Sequence, residues 1–344
     1  MKQNIIISLC ALCFLFFCAQ PAKTWGSGRQ YTISGKTMGT FYNIKFISDK
    51  NVSTDAWGKK IEVCLKDINK KMSMFDPESE LSRFNRHNIQ ESIHISHDFF
   101  SVLVTAQTLY EITDGAWDGT IKPLVDLWGF GTKNTRNTVP GHPEILAALS
   151  HTGFDHIRLV PPNIIQKTRP ITLDLGSIAK GYGVDRVADL FLSSGIKDIL
   201  VEIGGELYAS GRNKKGNPWA VGISRPEKDI SGQDLYTVLK LHSQAIATSG
   251  DYRNFFTKQG KAYSHIIDPK TGFPVKTRTV SASVISKTCT FADGLATALM
   301  IMDVQTGLDL VNRLEDTECL IITHEDKGLV SHASENFNQL VVNP

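Results

Sequence analysis

The chain is organised around the stretch Leu173-Asp174-Leu175-Gly176-Ser177-Ile178-Ala179-Lys180-Gly181-Tyr182, which lies near the middle of its 344 residues. A short apolar run ends in a carboxylate, and a glycine, a small hydroxyl residue and a lysine follow. Apolar residues then recur at helical spacing from Val184 to Leu190, so the stretch predicts a strand, a tight turn and the start of a helix. A helix N-terminus offers free N–H groups to an anion, and Lys180 adds a positive charge there. The pattern indicates a phosphate site, with Asp174 available to a metal or a hydroxyl, but an ordinary strand-to-helix turn has the same composition.

The composition is that of a globular protein with one or two domains. Hydrophobic residues make up 41% of the chain and charged residues 21%, which excludes a disordered chain. The formal net charge is +2 and no basic block stands out, so nucleic-acid binding has no electrostatic support. Beyond the N-terminal leader the cysteines are Cys64, Cys289 and Cys319, whose number and spacing predict buried free thiols rather than disulfides or a zinc site.

The N-terminus has the pattern of a secretory signal peptide, which we assign to residues 1–22. Its uncharged, mostly apolar run Ile5–Phe17 is shorter than the roughly 20 residues that span a membrane. Two fates are open for this leader. Cys18 follows an imperfect bacterial lipobox and becomes a lipidated N-terminus, or a signal peptidase cuts after Ala19 or Ala22.

The rest of the chain, residues 31–340, is predicted to form a single unit with an α+β fold, in which mixed sheets have flanking helices. It lacks the regular alternation of strands and helices found in barrels and doubly wound sheets. Besides the helix after Lys180, helices are predicted at Ala56–Met72, from an Asp98 cap onward, and at Glu144–Leu149, Phe291–Met302 (capped by Thr290) and Gly307–Leu314. Strands are predicted at Tyr31–Phe46 (two strands, or one with a bulge), Ile199–Ala209 (broken at Gly204-Gly205), Trp219–Ser224, Tyr236–Leu241, Ala245–Thr248, Ser264–Ile267, Val280–Ile285, Cys319–Thr323 and Gly328–Ala333.

Asp293 and Thr297 are the first candidate pair for chemistry. They are four residues apart on a predicted helix and therefore share one face. A carboxylate and a hydroxyl suit Mg²⁺, which takes few protein ligands and bridges substrate phosphates. Without further context, an acidic residue that favours the helix dipole and a packed threonine explain the pair better than a metal site does.

His265 is the candidate for proton transfer near neutral pH. It lies in Ser264-His265-Ile266-Ile267-Asp268-Pro269-Lys270-Thr271-Gly272, where a strand runs into a turn. A lone strand histidine is more often a packed one, so this assignment needs support from other segments. The segment from Thr248 to Tyr252 offers hydroxyls at a strand end and suits either a ligand loop or a plain turn.

Taken together and in order, these segments resemble the ApbE family of flavin transferases. The resemblance runs from about Met38 to about Thr297. It rests on Met38-Gly39-Thr40, Met72-Ser73-Met74-Phe75, Ala116-Trp117-Asp118 with Pro123-Leu124-Val125, the central stretch from Asp174 to Tyr182, Gly204-Gly205, Thr248-Ser249-Gly250-Asp251-Tyr252, Ser264 to Pro269 with Gly272, and Ala292-Asp293 with Ala296-Thr297. One departure is Trp117, where the family usually has phenylalanine.

The resemblance implies an ApbE-like fold with a T-fold-like core and a specific reaction. Such an enzyme binds FAD and Mg²⁺, moves FMN onto a Ser or Thr hydroxyl of a partner protein through a phosphoester bond, and releases AMP. The implied acceptors are flavin subunits of membrane redox complexes, of the sodium-pumping quinone reductase (Nqr) or Rnf type, or exported reductases. The implied location is outside the cytoplasm, as an inner-membrane lipoprotein facing the periplasm or as a soluble periplasmic protein.

The resemblance also implies roles for individual residues. Mg²⁺ is expected to bind the side chains of Asp293 and Thr297 and a group of Ser177, which we expect to be its backbone carbonyl. Lys180 is expected to pair with a phosphate, and His265 to activate or orient the acceptor hydroxyl. The expected FAD contacts are Met38, Phe75, Ala116, Trp117, Asp118, Asp174 and Ile267.

Two other functions are compatible with the same residues. In the first, water replaces the acceptor and the protein hydrolyses FAD to FMN and AMP. In the second, the protein is a flavin-binding lipoprotein without catalysis. The pair Asp293 and Thr297 and the histidine at 265 weigh against the second, because storage needs neither.

Overall fold

The computed structural model describes residues 28–131, 139–226, 234–250, 255–258 and 261–342. The predicted signal peptide (residues 1–22) and Cys18 lie outside the described residues, as do Asp251 and Tyr252. Within these ranges the helices are α1 Thr54–Met72, α2 Glu80–Arg86, α3 His97–Ile112, α4 Lys122–Leu127, α5 His142–Leu149, α6 Ala179–Ser193, α7 Cys289–Leu299 and α8 Val304–Val311. The strands are β1 Arg29–Thr37, β2 Thr40–Ser48, β3 Ile93–His94, β4 Ile157–Val160, β5 Ile164–Lys167, β6 Ile199–Ile203, β7 Glu206–Ser210, β8 Trp219–Ser224, β9 Leu235–Leu241, β10 Gln244–Gly250, β11 Phe255–Lys258, β12 Lys261–Ser264, β13 Thr279–Ser286, β14 Glu318–Glu325 and β15 Gly328–Ala333.

The main sheet has eight strands in the described ranges, in the order β1-β2-β6-β7-β10-β13-β14-β15. Smaller sheets are β3-β5-β4, β8-β9 and β11-β12. Every strand pair recorded in these ranges is antiparallel. Mixed sheets were expected from the sequence, and the sheets in these ranges are antiparallel. With helices packed against these sheets, the predicted α+β class is confirmed. No helix in the described part of the chain is long and apolar enough to cross a membrane.

The first two strands form a hairpin joined by Met38 and Gly39. The pairing of Thr37 with Thr40 leaves a two-residue loop, in which both residues have positive φ angles of 47° and 71°. A two-residue turn of this handedness matches the twist of the flanking strands. The Met-Gly pair therefore ends one strand and starts the next, so the two-strand alternative is confirmed.

Helix α1 shows how the apolar spacing produces an amphipathic element. Its buried residues recur every three or four positions and form one face, which packs on β1, α2 and α6: Trp57, Ile61, Leu65, Ile68 and Met72. At its start the Ser53 side chain accepts a hydrogen bond from the Ala56 N–H. The helix ends before Ser73, whose backbone is extended.

The sheet separates two apolar layers. On one face α1, α3, α6 and α7 enclose the larger core, in which the rings of Trp57 and Phe191 stack and Phe46 makes tilted contacts with both. On the other face the β8-β9 hairpin covers a smaller core around Trp219 and Phe337. A third cluster, formed by Leu124, Trp128, Ile145 and Ile267, lies beneath α4 and α5. The segments that the sequence analysis singled out as a candidate site lie in a cleft between these three apolar clusters.

Several predicted boundaries were wrong in detail. The cap of α3 is Ser96 rather than Asp98, and the cap of α7 is Thr288 rather than Thr290, because these hydroxyls accept the N–H groups of the first turns. Asp98 is instead a side-chain acceptor for Lys71 and Tyr182. Helix α2 is not among the predicted helices; it buries Leu81 and Phe84 on one side. The strand expected from Ser264 to Ile267 ends at Ser264, and beyond it Ile267 makes only an isolated bridge to Pro274.

Candidate active site

The central stretch enters the site as an extended segment rather than as a strand. Residues 171–175 belong to no ladder, so the predicted strand at Leu173 was wrong. The Asn85 side chain takes the place of a neighbouring strand: it donates to the Leu173 carbonyl at 2.9 Å and accepts from the Leu173 N–H at 2.7 Å. The Asp174 N–H donates to the Gly119 carbonyl at 2.8 Å. The apolar alternation marked a buried extended segment, but periodicity could not show what its backbone pairs with.

The turn and helix start follow as predicted. The Asp174 carboxylate accepts the Gly176 N–H at 2.8 Å, and burial raises its pKa. Helix α6 then begins at Ala179, so Lys180 lies in its first turn. A Cβ atom at Gly181 would lie 2.3 Å from the Cys289 carbonyl oxygen. The glycine therefore allows α6 to cross α7 at close range.

This crossing brings Lys180 to Asp293. The Gly181 N–H donates to Asp293 Oδ2 at 2.9 Å, and Lys180 Nζ lies 3.7 Å from Asp293 Oδ1. Asp293 is only 3% exposed, and burial raises the pKa of its carboxyl despite the opposing charge of Lys180. One helical turn later the Thr297 hydroxyl lies 3.0 Å from the Ser249 hydroxyl of β10.

Glu206 is a member of this cluster that the sequence analysis missed. It opens β7 directly after Gly204-Gly205, and its Oε1 accepts a hydrogen bond from Lys180 at 2.8 Å. Burial and the charge of Asp293 raise the pKa of Glu206 to about 7. Burial alone would lower the pKa of Lys180, but the charges of Asp293 and Glu206 outweigh it and raise that pKa. The sequence feature that could have pointed to Glu206 was its position, since it is an acidic residue at the start of a strand and directly follows a glycine pair.

The Ala116–Asp118 turn holds the central stretch from the other side. The Trp117 indole N–H donates to the Ser177 hydroxyl at 3.0 Å. Asp118 Oδ1 accepts the N–H and the hydroxyl of Thr120, each at 2.7 Å. Burial raises the pKa of Asp118, which these hydrogen bonds partly offset.

His265 reaches the site on a segment anchored to the third apolar cluster. The Trp128 indole N–H donates to the Gly272 carbonyl at 2.8 Å, and Gly272 has a φ of 74°. The half-buried His265 ring makes an edge contact with Phe130, with ring centroids 6.3 Å apart. The turn therefore presents the imidazole along one wall of the site.

These segments line one cleft of about 1130 Å³. Ten of the predicted site residues line it, namely Ala116, Trp117, Asp118, Asp174, Ser177, Lys180, His265, Ile267, Asp293 and Thr297. Glu206, which was not predicted, lines it as well, and so does Ser249 from the segment that the sequence left open between a ligand loop and a plain turn. Met38 and Phe75 are not among the lining residues. Met38 packs beside Gly183, and Phe75 is 75% exposed, so their proposed FAD contacts stay predictions.

The oxygen atoms around Asp293 fit a hard divalent cation. Asp293 Oδ1 has no hydrogen bond in the described structure, and the Thr297 hydroxyl lies on the same helix face. The described residues contain no group of three His, Cys, Asp or Glu side chains that could hold a metal ion, so a cation here would also depend on hydroxyl and backbone oxygens. A small ligand set of carboxylate, hydroxyl and backbone oxygens is typical of Mg²⁺, which keeps several waters and substrate phosphates as its other ligands.

Fold and site together define an α+β protein whose cleft brings hard oxygen ligands beside a half-buried lysine. A site for a phosphate-bearing molecule and a divalent cation requires such a combination. A sequence profile of the ApbE family matches residues 38–321. The chain is 39% identical over 336 residues to the FAD:protein FMN transferase of Vibrio cholerae, an alignment that covers 97% of this chain and 98% of that one.

Two solved structures are similar along most of their length. The flavin transferase ApbE from Vibrio cholerae has a TM-score of 0.83 and 39% identity, covering 91% of this chain and 99% of its own. The apo form of the Pseudomonas stutzeri flavinyl transferase ApbE has a TM-score of 0.83 and 32% identity, with coverages of 92% and 98%. The chain therefore belongs to the ApbE family.

Proposed function

We propose that this protein transfers FMN from FAD to a Ser or Thr hydroxyl of an acceptor protein, in a Mg²⁺-dependent reaction that releases AMP. The acceptor oxygen forms a bond to the phosphorus of the FMN half, and the anhydride bond to AMP breaks. The observation that carries this proposal is the cluster of Lys180, Asp293 and Thr297 in one cleft. The proposal is also supported by a relative, the FAD:protein FMN transferase of Vibrio cholerae, to which the chain is similar over nearly its full length.

Each residue has a task in this reaction. Asp293, Thr297 and the backbone carbonyl of Ser177 would hold Mg²⁺, which supplies charge neutralisation at the diphosphate. Lys180 places its ammonium against a phosphate oxygen, where charge grows as the anhydride bond breaks. His265 orients the acceptor hydroxyl and accepts its proton. Asp174 and the Ala116–Asp118 turn position the FAD molecule.

The acceptors we propose are flavin subunits of membrane redox complexes, of the Nqr or Rnf type, or exported reductases. The resemblance to the family implies these acceptors, and the signal-peptide pattern of residues 1–22 fits them because it would place the enzyme outside the cytoplasm. A lipid at Cys18 would hold the enzyme beside a membrane-bound acceptor, and a soluble periplasmic form would reach the same acceptors by diffusion.

The proposal is tested by mass spectrometry of an acceptor domain incubated with purified protein, FAD and MgCl₂. We expect the acceptor mass to rise by one FMN and AMP to appear in equal amount. The His265→Ala variant should lose transfer while still binding FAD, because the imidazole acts on the acceptor hydroxyl. A matched control is His242→Ala, which removes an exposed imidazole at the turn between β9 and β10.

Three outcomes would contradict parts of the proposal. AMP released without any acceptor would favour FAD hydrolysis. Tight FAD binding without AMP under any condition would favour a flavin-binding protein that is not an enzyme. Transfer at the normal rate by His265→Ala would remove the role given to that histidine.

A further inference from the structure

Glu206 is a buried carboxylate whose two oxygens have different surroundings. The residue is 5% exposed and opens β7 in the wall of the cleft. Its Oε1 accepts the Lys180 ammonium at 2.8 Å, whereas its Oε2 has no hydrogen-bond partner in the described part of the chain. A carboxylate this deeply buried costs free energy, so its position calls for a specific task.

Lys180 lies between two carboxylates but is bound to only one of them. Its Nζ is 2.8 Å from Glu206 Oε1 and 3.7 Å from Asp293 Oδ1, which is beyond hydrogen-bond distance. Asp293 Oδ2 is already occupied by the Gly181 N–H. Asp293 Oδ1, the oxygen that faces Lys180, is therefore the one that remains available to a ligand.

The turn before Glu206 is shaped for this arrangement. A Cβ atom at Gly204 would lie 3.3 Å from Glu206 Oε2, 3.4 Å from Lys180 Cδ and 2.9 Å from Thr40 Cγ2. Gly204 also has a φ of 67°, which disfavours any other residue. The glycine therefore leaves room for the Glu206–Lys180 pair against the hairpin.

We propose that Glu206 is a positioning residue that holds the Lys180 ammonium away from Asp293, so that Asp293 Oδ1 stays available to Mg²⁺. The inference rests on the proposed function, since it concerns the same site. Without the charge of Glu206, the carboxylate that remains near Lys180 is Asp293, and the flexible lysine side chain would move about 1 Å to form that pair. The ammonium and the metal would then compete for one oxygen.

The first test is a double-mutant cycle on Mg²⁺ affinity, measured by calorimetry on the purified chain without FAD. We expect Glu206→Gln, which keeps the shape of the side chain, to weaken Mg²⁺ binding by roughly ten-fold or more. In a Lys180→Met background the same change should weaken binding by less than about three-fold, because no ammonium is left to compete. Equal effects in the two backgrounds would overturn the proposal, since Glu206 would then act only as one more negative charge.

The second measurement does not depend on the Lys180→Met protein folding. In a crystal structure of Glu206→Gln, we expect the distance from Lys180 Nζ to Asp293 Oδ1 to fall from 3.7 Å to about 2.8 Å. A lysine that stays in its present position would overturn the proposal. The control for the loss of one charge is Glu62→Gln, an exposed residue of α1, which should leave Mg²⁺ affinity unchanged.

The outcomes separate this proposal from the proposed function. If the cycle shows the expected coupling but the wild-type protein transfers no FMN to any acceptor, the positioning role stands and the transferase function fails. If transfer occurs and the effects are additive, the transferase function stands and the positioning role fails.

Discussion

Trp117 joins the two segments that would hold the metal. Its indole N–H donates to the Ser177 hydroxyl at 3.0 Å, and a Cβ atom at Gly294, beside Asp293, would lie 3.4 Å from the indole nitrogen. A Trp117→Phe substitution removes this hydrogen bond and leaves a gap at a residue that is 2% exposed. We expect it to lower the free energy of unfolding by about 1–3 kcal/mol and to weaken Mg²⁺ binding. Urea unfolding and a Mg²⁺ titration measure the two effects.

The matched control is Trp219→Phe in the second core. The Trp219 indole N–H donates to the Ser210 carbonyl at 2.9 Å, so the same kind of bond is lost away from the cleft. This control should lower stability without a change in Mg²⁺ affinity. If the two variants change Mg²⁺ affinity alike, Trp117 has only a packing role.

At the level of single residues, the sequence predicted the site residues that belong to a motif and missed those that join the site only through the fold. Lys180, Asp293, Thr297 and His265 follow from ordered segments, and the structure brings them to one cleft. Glu206 and the Ser249–Thr297 contact could not be predicted, because they depend on which strands lie beside α6 and α7. Residue spacing carries no information on pairs that are distant in the chain.

Helix α7 carries Asp293 and Thr297, and its N-terminus is held by Asp185 of α6. The Asp185 carboxylate accepts the Cys289 N–H at 2.7 Å and the Thr290 N–H at 2.8 Å. Burial raises the pKa of Asp185 to about 6, although these hydrogen bonds oppose the shift. Two elements that carry the site are thus joined by one half-buried acid.

This acid predicts a pH dependence of stability. Because the pKa of Asp185 is higher in the folded than in the unfolded protein, the folded state binds more protons between pH 3.8 and about 6. Its contribution to the free energy of unfolding is therefore complete below this range and falls by up to about 3 kcal/mol as the pH rises through it. Urea unfolding across this range should show a flatter profile for Asp185→Asn than for the wild type.

The control is Asp309→Asn, an exposed residue of α8, which should keep the wild-type slope. A profile for Asp185→Asn with the wild-type slope would show that Asp185 does not ionise in this range. Loss of stability by Asp185→Asn at every pH is expected in addition, because one amide oxygen replaces two carboxylate acceptors for the start of α7.

At the level of elements, the sequence predicted the helices and strands whose apolar spacing is long and regular. Helix α1 and strand β8 have nearly the expected bounds. The segment at Leu173 was different, since its buried alternation is that of a strand while its backbone pairs with the Asn85 side chain. The alternation of apolar and polar residues indicates which side chains are buried. It does not indicate which group forms hydrogen bonds with the backbone.

In the whole molecule, the cleft collects residues from Thr40 to Ile301, and the three apolar clusters that surround it are each built by different elements. No single segment could have predicted its size or its walls. A ligand that bridges these walls binds the folded state alone and therefore stabilises the whole chain. Its effect on unfolding reports the assembled site rather than any one residue.

We expect FAD and Mg²⁺ together to raise the melting temperature by more than the sum of their separate effects. Under the proposed function Asp293 would hold Mg²⁺, whose charge would offset that of the diphosphate, so each ligand should strengthen the binding of the other. At a free FAD concentration one hundred times its Kd, the stabilisation is about 2.7 kcal/mol. In Asp293→Ala the added effect of Mg²⁺ should vanish while part of the FAD effect remains through Lys180. Thermal unfolding with FAD in EDTA is the control. If Mg²⁺ enhanced FAD binding equally in wild type and Asp293→Ala, the metal would bind elsewhere, and the assignment of Asp293 and Thr297 as its ligands would fall.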